Sequence, residues 1–98
     1  MNERTGETGI YIIDDEAILR AAYRALLGCV DGFCIVGDSS GARAGIEEIA
    51  ALQPDVVILD ITMTELSGID AIARIKRVSP RTRILMASTH EGSSFVQQ

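Results

Sequence analysis

The chain alternates short apolar runs with longer stretches of mixed polarity. The runs are Gly9-Ile10-Tyr11-Ile12-Ile13, Phe33-Cys34-Ile35-Val36, Val56-Val57-Ile58-Leu59 and Ile84-Leu85-Met86-Ala87. Each is too short for a helix and is bounded by turn residues, so each reads as a buried strand of a parallel sheet. The stretches between them repeat apolar residues every three or four positions, which is the helical period. Residues 16–27 predict a first helix with Ile18, Ala22 and Leu26 facing inward, Leu19 and Tyr23 beside them, and Arg20 and Arg24 pointing away. Gly28 is its expected C-cap. Residues 42–52 predict a second, with Ile46, Ile49 and Ala50 inward and Arg43, Glu47 and Glu48 outward, stopped by Pro54. Ser67-Gly68 opens a third, with Ile69, Ile72, Ala73 and Ile75 buried and Asp70, Arg74 and Lys76 exposed, ending at Ser79-Pro80. Residues 91–98 could begin a fourth.

Strict alternation of strand and helix, with short connections and right-handed crossovers, predicts an α/β fold: a doubly wound parallel sheet. Residues 1–8 are polar and glycine-containing and are expected to form a disordered N-terminal tail, leaving residues 9–98 as one folded unit. No internal repeat or linker interrupts it.

Three runs end on residues able to handle phosphate or a cation. The first leads into Asp14-Asp15-Glu16, the third into Asp60 and the fourth into Ser88. In an open parallel sheet, ligands bind outside the carboxyl ends of the strands, so these side chains are expected to converge. Three carboxylates that close repel, and must either take up protons or bind a cation. An all-oxygen donor set suits a hard ion such as Mg²⁺, which retains several waters. A carboxylate beside such an ion can act as a nucleophile toward phosphorus and form an aspartyl-phosphate. Taken singly, any of these aspartates is an ordinary turn or cap residue; the combination across three strands is what points to chemistry.

Bulk properties narrow the field. Ninety-eight residues with 47% hydrophobic and 23% charged content suit a single globular domain with an aliphatic core. The net charge of −5 argues against nucleic-acid binding by the chain itself. No apolar run approaches the ~18 residues of a membrane span, and no signal peptide is apparent, which predicts a cytoplasmic location with no membrane partner. Cys29 and Cys34 match no metal or redox spacing and read as reduced thiols. There is no G-x-G-x-x-G after the first strand and no P-loop.

The stretches Ile12-Ile13-Asp14-Asp15-Glu16, Pro54-Asp55-Val56-Val57-Ile58-Leu59-Asp60-Ile61, Ser67-Gly68-Ile69 and Ile84-Leu85-Met86-Ala87-Ser88 resemble a response-regulator receiver domain. This is the CheY-like domain, here most similar to the receivers of LuxR/NarL-type transcriptional regulators. The resemblance implies a flavodoxin-like receiver fold in strand order 2-1-3-4, with the family's fifth strand and fifth helix missing. It implies that Asp60 is the phosphoacceptor. It implies that Asp14, Asp15, Asp60 and the backbone carbonyl of Thr62 hold Mg²⁺, with Asp14 acting through water. Ser88 would be the switch hydroxyl, and Thr62 and His90 possible modulators at the rim. The implied role is reception of a phosphoryl group from a sensor histidine kinase in a bacterial two-component system, with no enzyme activity beyond Mg²⁺-dependent self-phosphorylation and dephosphorylation. The resemblance also requires a lysine after a fifth strand, and the only lysine here is Lys76. An exposed fourth-strand edge implies self-association. The alternative implied by the missing lysine is a truncated, phosphorylation-incompetent receiver serving as a dimerisation or interaction module. A third possibility comes from Gly37-Asp38-Ser39-Ser40-Gly41, which matches the G-x-S-x-G elbow of hydrolases, with Asp60 and His90 following in order. The chain is too short for that fold, and a loop with a helix cap explains the same residues.

Overall fold

Strands rich in Ile and Val alternate with three amphipathic helices in a computed structural model that describes residues 6–62 and 66–87. In chain order the elements are β1 (Thr8–Ile13), α1 (Ala17–Leu27), β2 (Phe33–Ser39), α2 (Ala42–Leu52), β3 (Val56–Asp60), α3 (Gly68–Val78) and β4 (Arg83–Ala87). All strand pairs are parallel and the sheet order is β2-β1-β3-β4. The doubly wound sheet expected from the pattern is therefore the fold, with β1 and β3 at its centre.

Period-two alternation sorts the strand residues onto two faces. Tyr11, Ile13, Val57 and Leu59 pack with Ala42 and Ile49 of α2 and Ala71 and Ile75 of α3. Ile10, Ile12 and Ile58 form the core of the other face, under Tyr23 and Leu27 of α1. The central strands are free of charged side chains over residues 9–13 and 56–59, which pack on one face or the other, and polar residues follow at Asp14 and Asp60.

The helix boundaries have local causes. Ser67 Oγ accepts the Asp70 amide at 3.1 Å and caps α3. Gln53 takes the left-handed conformation (φ 51°) that ends α2 ahead of Pro54. Gly28 ends α1 in a right-handed conformation, its amide donating to the Arg24 carbonyl at 2.9 Å. Lys76 donates from Nζ to the carbonyls of Pro80 and Thr82, past the end of α3.

Several expectations fail in detail. On α1, Ile18 is 81% and Leu26 70% exposed, so the inward stripe is not Ile18-Ala22-Leu26. Leu19, Tyr23 and Leu27 make an equally regular stripe rotated by about 100°, and it is these that lie toward the sheet. Arg20 and Arg24 do not point away; both reach Asp38 on β2. Ala50, Ala73 and Ile69 are exposed, Ile69 at 81%, whereas Ala71 is buried. The reason is shared: a single helix on a sheet buries about a third of its surface, and apolar residues on the flanks read as core when only their spacing is known. β2 runs three residues further than its apolar run, because Gly37, Asp38 and Ser39 stay paired with β1 past a register shift between Ile10 and Tyr11. Gly37 has a specific reason: a Cβ there would meet Tyr11 Cε2 at 2.9 Å.

On its face of the sheet α1 lies over β1 and β2, and its Tyr23 and Leu27 pack on the cluster that includes Ile58 of β3, while Leu85 of β4 is 58% exposed. β4 is an edge of the described sheet, as expected. Both cysteines are free, Cys29 exposed and Cys34 half-buried.

Candidate functional site

β1 and β3 are adjacent and in register, Ile13 opposite Leu59, so the residues that follow them come out side by side. Asp14, Asp15 and Asp60 each place a carboxylate oxygen within 4.8 Å of the others. Asp14 is 1% and Asp60 3% exposed, while Asp15 lies at the surface. The cluster is open to solvent on one side and closed by the core on the other.

Each buried carboxylate is partly used by the local backbone. Asp14 Oδ1 accepts the Glu16 amide at 2.9 Å, which caps the approach to α1. Asp60 Oδ1 accepts both the Thr62 amide, at 2.8 Å, and the Thr62 hydroxyl, at 2.6 Å. The ordinary turn reading of these aspartates is thus part of the truth, because the same side chains that cap the turns also face one another. Asp14 Oδ2 is different: it is buried and has no hydrogen-bond partner among the described residues. Burial raises the Asp14 pKa above the ordinary carboxylate range, partly opposed by the Glu16 amide; the charges of Asp60, Asp15 and Glu16 raise it further. Burial and then the charges of Asp14 and Asp60 also raise the Tyr23 phenol, which lies under the site.

An orphaned buried carboxylate oxygen beside two more carboxylates is a set of hard oxygen donors. The residues present fit a divalent ion such as Mg²⁺.

Ser88 and His90, the other expected site residues, lie outside the described residues, as does Thr64. Ser39 Oγ donates to the Gly41 carbonyl at 2.6 Å and accepts the Gly41 amide at 3.0 Å. It therefore closes the turn into α2 and is separated from Asp60 by the whole of β1. The hydrolase elbow is a helix entry.

Sequence reasoning missed three side chains at this end of the sheet. Arg20 Nη1 donates to the Asp14 carbonyl at 2.7 Å, Arg20 Nε lies 3.4 Å from Asp38 Oδ1, and Arg24 Nε lies 2.5 Å from Asp38 Oδ2. Their signal was present: two arginines four apart, and an aspartate just past an apolar run, where parallel strands put their functional ends.

Residues 10–98 match the family model described as the response regulator receiver domain. The chain belongs to the response-regulator receiver family. The receiver is 34% identical to the chemotaxis protein CheY of Thermotoga maritima over 79 residues, 81% of this chain and 65% of that protein. It is 30% identical to the transcriptional regulatory protein DegU of Brevibacillus brevis over 98 residues, 98% of this chain and 42% of that one. Among solved structures it is similar to a LuxR-family two-component response regulator from Aurantimonas, with a TM-score of 0.78 and 29% identity over 88% of this chain and 61% of that one. The receiver spans just under two thirds of the chemotaxis protein and less than half of DegU. Among its described residues no helix is long and apolar enough to cross a membrane.

Proposed function

We propose that this receiver accepts a phosphoryl group on Asp60 from the phosphohistidine of a sensor histidine kinase, with Mg²⁺ as cofactor, in cytoplasmic two-component signalling. Residues 9–98 form the acting unit, and the tail stops short of Thr8, which begins β1 and pairs with Phe33. The observation that carries the reading is the buried pair Asp14 and Asp60, with Asp15 at the mouth and one Asp14 oxygen unpartnered among the described residues.

Asp14, Asp15, Asp60 and the Thr62 carbonyl would hold the ion, Asp14 through water. When bound, Mg²⁺ neutralises the charge on the phosphoryl oxygens. The two donors from Thr62 fix the Asp60 carboxylate, so its attack on phosphorus starts from one orientation. The new O–P bond forms as the N–P bond to the kinase histidine breaks, and the electron pair returns to the imidazole nitrogen. Ser88 then turns toward the phosphoryl group and carries the signal, with Thr62 and His90 setting water access.

The place of Lys76 favours a second reading. Its ammonium donates to the carbonyls of Pro80 and Thr82, beyond α3, at the end of the sheet opposite the acidic rim. Such a receiver would act as an interaction module that self-associates through the β4 edge. Intact-mass measurement after exposure to Mg²⁺ and a small phosphodonor separates the two. A gain of one phosphoryl group that disappears in Asp60→Asn supports acceptance at Asp60; an unchanged mass under saturating donor leaves the module.

A further inference from the structure

The main chain of Asp14 is gripped from two sides. Its amide donates to the Ser39 carbonyl on β2 at 3.1 Å, and its carbonyl accepts from Arg20 Nη1 at 2.7 Å. Arg20 is itself buttressed, because one Asp38 carboxylate oxygen forms an ion pair with its Nε at 3.4 Å and the other accepts from Arg24 Nε. Arg20 and Asp38 are largely shielded, at 21% and 23% side-chain exposure, and Arg24 is the outer member at 50%. A guanidinium can serve a carbonyl and a carboxylate at once because its donors point along fixed, divergent directions; an ammonium is a single point.

Three carboxylates pressed together tend to push their segments apart, and the turn after β1 carries two of them. We infer that Arg20 is a positioning residue for the cation site, holding the Asp14 backbone against that repulsion so that Asp14, Asp15 and Asp60 keep the spacing an ion needs. The inference rests on the Mg²⁺ reading of the site proposed above.

The sign of the effect distinguishes position from charge. A positive group this near the site, acting only through its field, repels Mg²⁺, so its removal would tighten binding. A group that holds the ligands in place does the reverse, and loss of such outer support typically weakens metal affinity about 10–100-fold. The test is titration calorimetry of Mg²⁺ into the 98-residue chain, with thermal melting in chelator to record the fold of each variant separately. Arg20→Ala is expected to bind Mg²⁺ at least about tenfold more weakly. Arg20→Lys keeps the charge and loses the fork, and is expected to bind about threefold or more weakly. Arg24→Ala leaves the contact to Asp14 and is expected to stay within about twofold of the parent. Affinity that is unchanged or tighter in Arg20→Ala overturns the inference. Should that variant not fold, Arg20→Lys with parental affinity overturns it equally. A parent chain that takes up no Mg²⁺ overturns the metal site itself, and the inference with it.

Discussion

Asp14→Asn is the most informative single change, because it removes a charge while keeping the shape. The amide oxygen can still accept from the Glu16 amide, which Asp14 Oδ1 does at 2.9 Å. What is lost is a buried negative charge facing that of Asp60. At the 4.8 Å limit and an effective dielectric constant of about 20, two unit charges repel by about 3.5 kcal/mol. Relaxation and partial protonation remove part of that in the parent, leaving an expected gain of about 1–3 kcal/mol for the variant without metal. For a domain of this size each kcal/mol moves Tm by about 4–8 °C, so the variant melts higher by about 5–20 °C in chelator at neutral pH. The pH dependence follows from linkage. A carboxyl whose pKa is raised by folding keeps its proton in the native state at pH values where the unfolded chain has released it. Native stability from that group therefore falls as pH rises from the unfolded value of 3.8 through the folded one. The advantage of Asp14→Asn should be largest at neutral pH and shrink as the solution is acidified. Calorimetric melting of both proteins from pH 5 to 8, in chelator and in saturating Mg²⁺, measures this. A variant less stable than the parent in chelator at neutral pH, or an advantage independent of pH, would refute the electrostatic account.

Saturating Mg²⁺, at about a hundred times its Kd, should stabilise the parent by about 2.7 kcal/mol, and Asp60→Ala should lose most of that increment; melting curves over a Mg²⁺ series read it, and a flat series contradicts the site. Gly37→Ala should cost about 1–3 kcal/mol in denaturant unfolding, because its methyl would meet the ring of Tyr11 at 2.9 Å and that ring is fully buried and tied to Glu48. Ile49→Ala, at a position with no exposure, should cost about 2–5 kcal/mol, whereas Ile18→Ser should stay within about 0.5 kcal/mol; equal costs would show that the assignment of faces is wrong.

The class of fold was written in the alternation of apolar runs and helical stretches, since a strand covered on both faces has to be apolar throughout. Val56-Val57-Ile58-Leu59 followed by Asp60 announced both a central strand and the point where it leaves the core. The acidic site was legible for the same reason: polar residues at strand ends are few, and parallel packing sends them all to one rim. Ser67 as a cap and Pro54 as a stop were likewise local matters, settled within a few residues of backbone.

What local pattern could not decide was rotation and reach. Ile18, Leu26 and Ile69 satisfy a helical spacing as well as their buried neighbours do, and only the line along which each helix meets the sheet selects between them. By their spacing alone Arg20 and Arg24 point into solvent, as charged side chains usually do. Their partner Asp38 lies 18 and 14 residues away along the chain, and nothing in the spacing says that β2 continues far enough to offer it. The sequence by itself determined which residues could form strands, helices and a metal-binding rim, because those choices depend on hydrophobicity and backbone preference. The tertiary structure alone decided which arginine reaches the Asp14 carbonyl and which Asp14 oxygen has no partner among the described residues, because both depend on how separate segments are packed together.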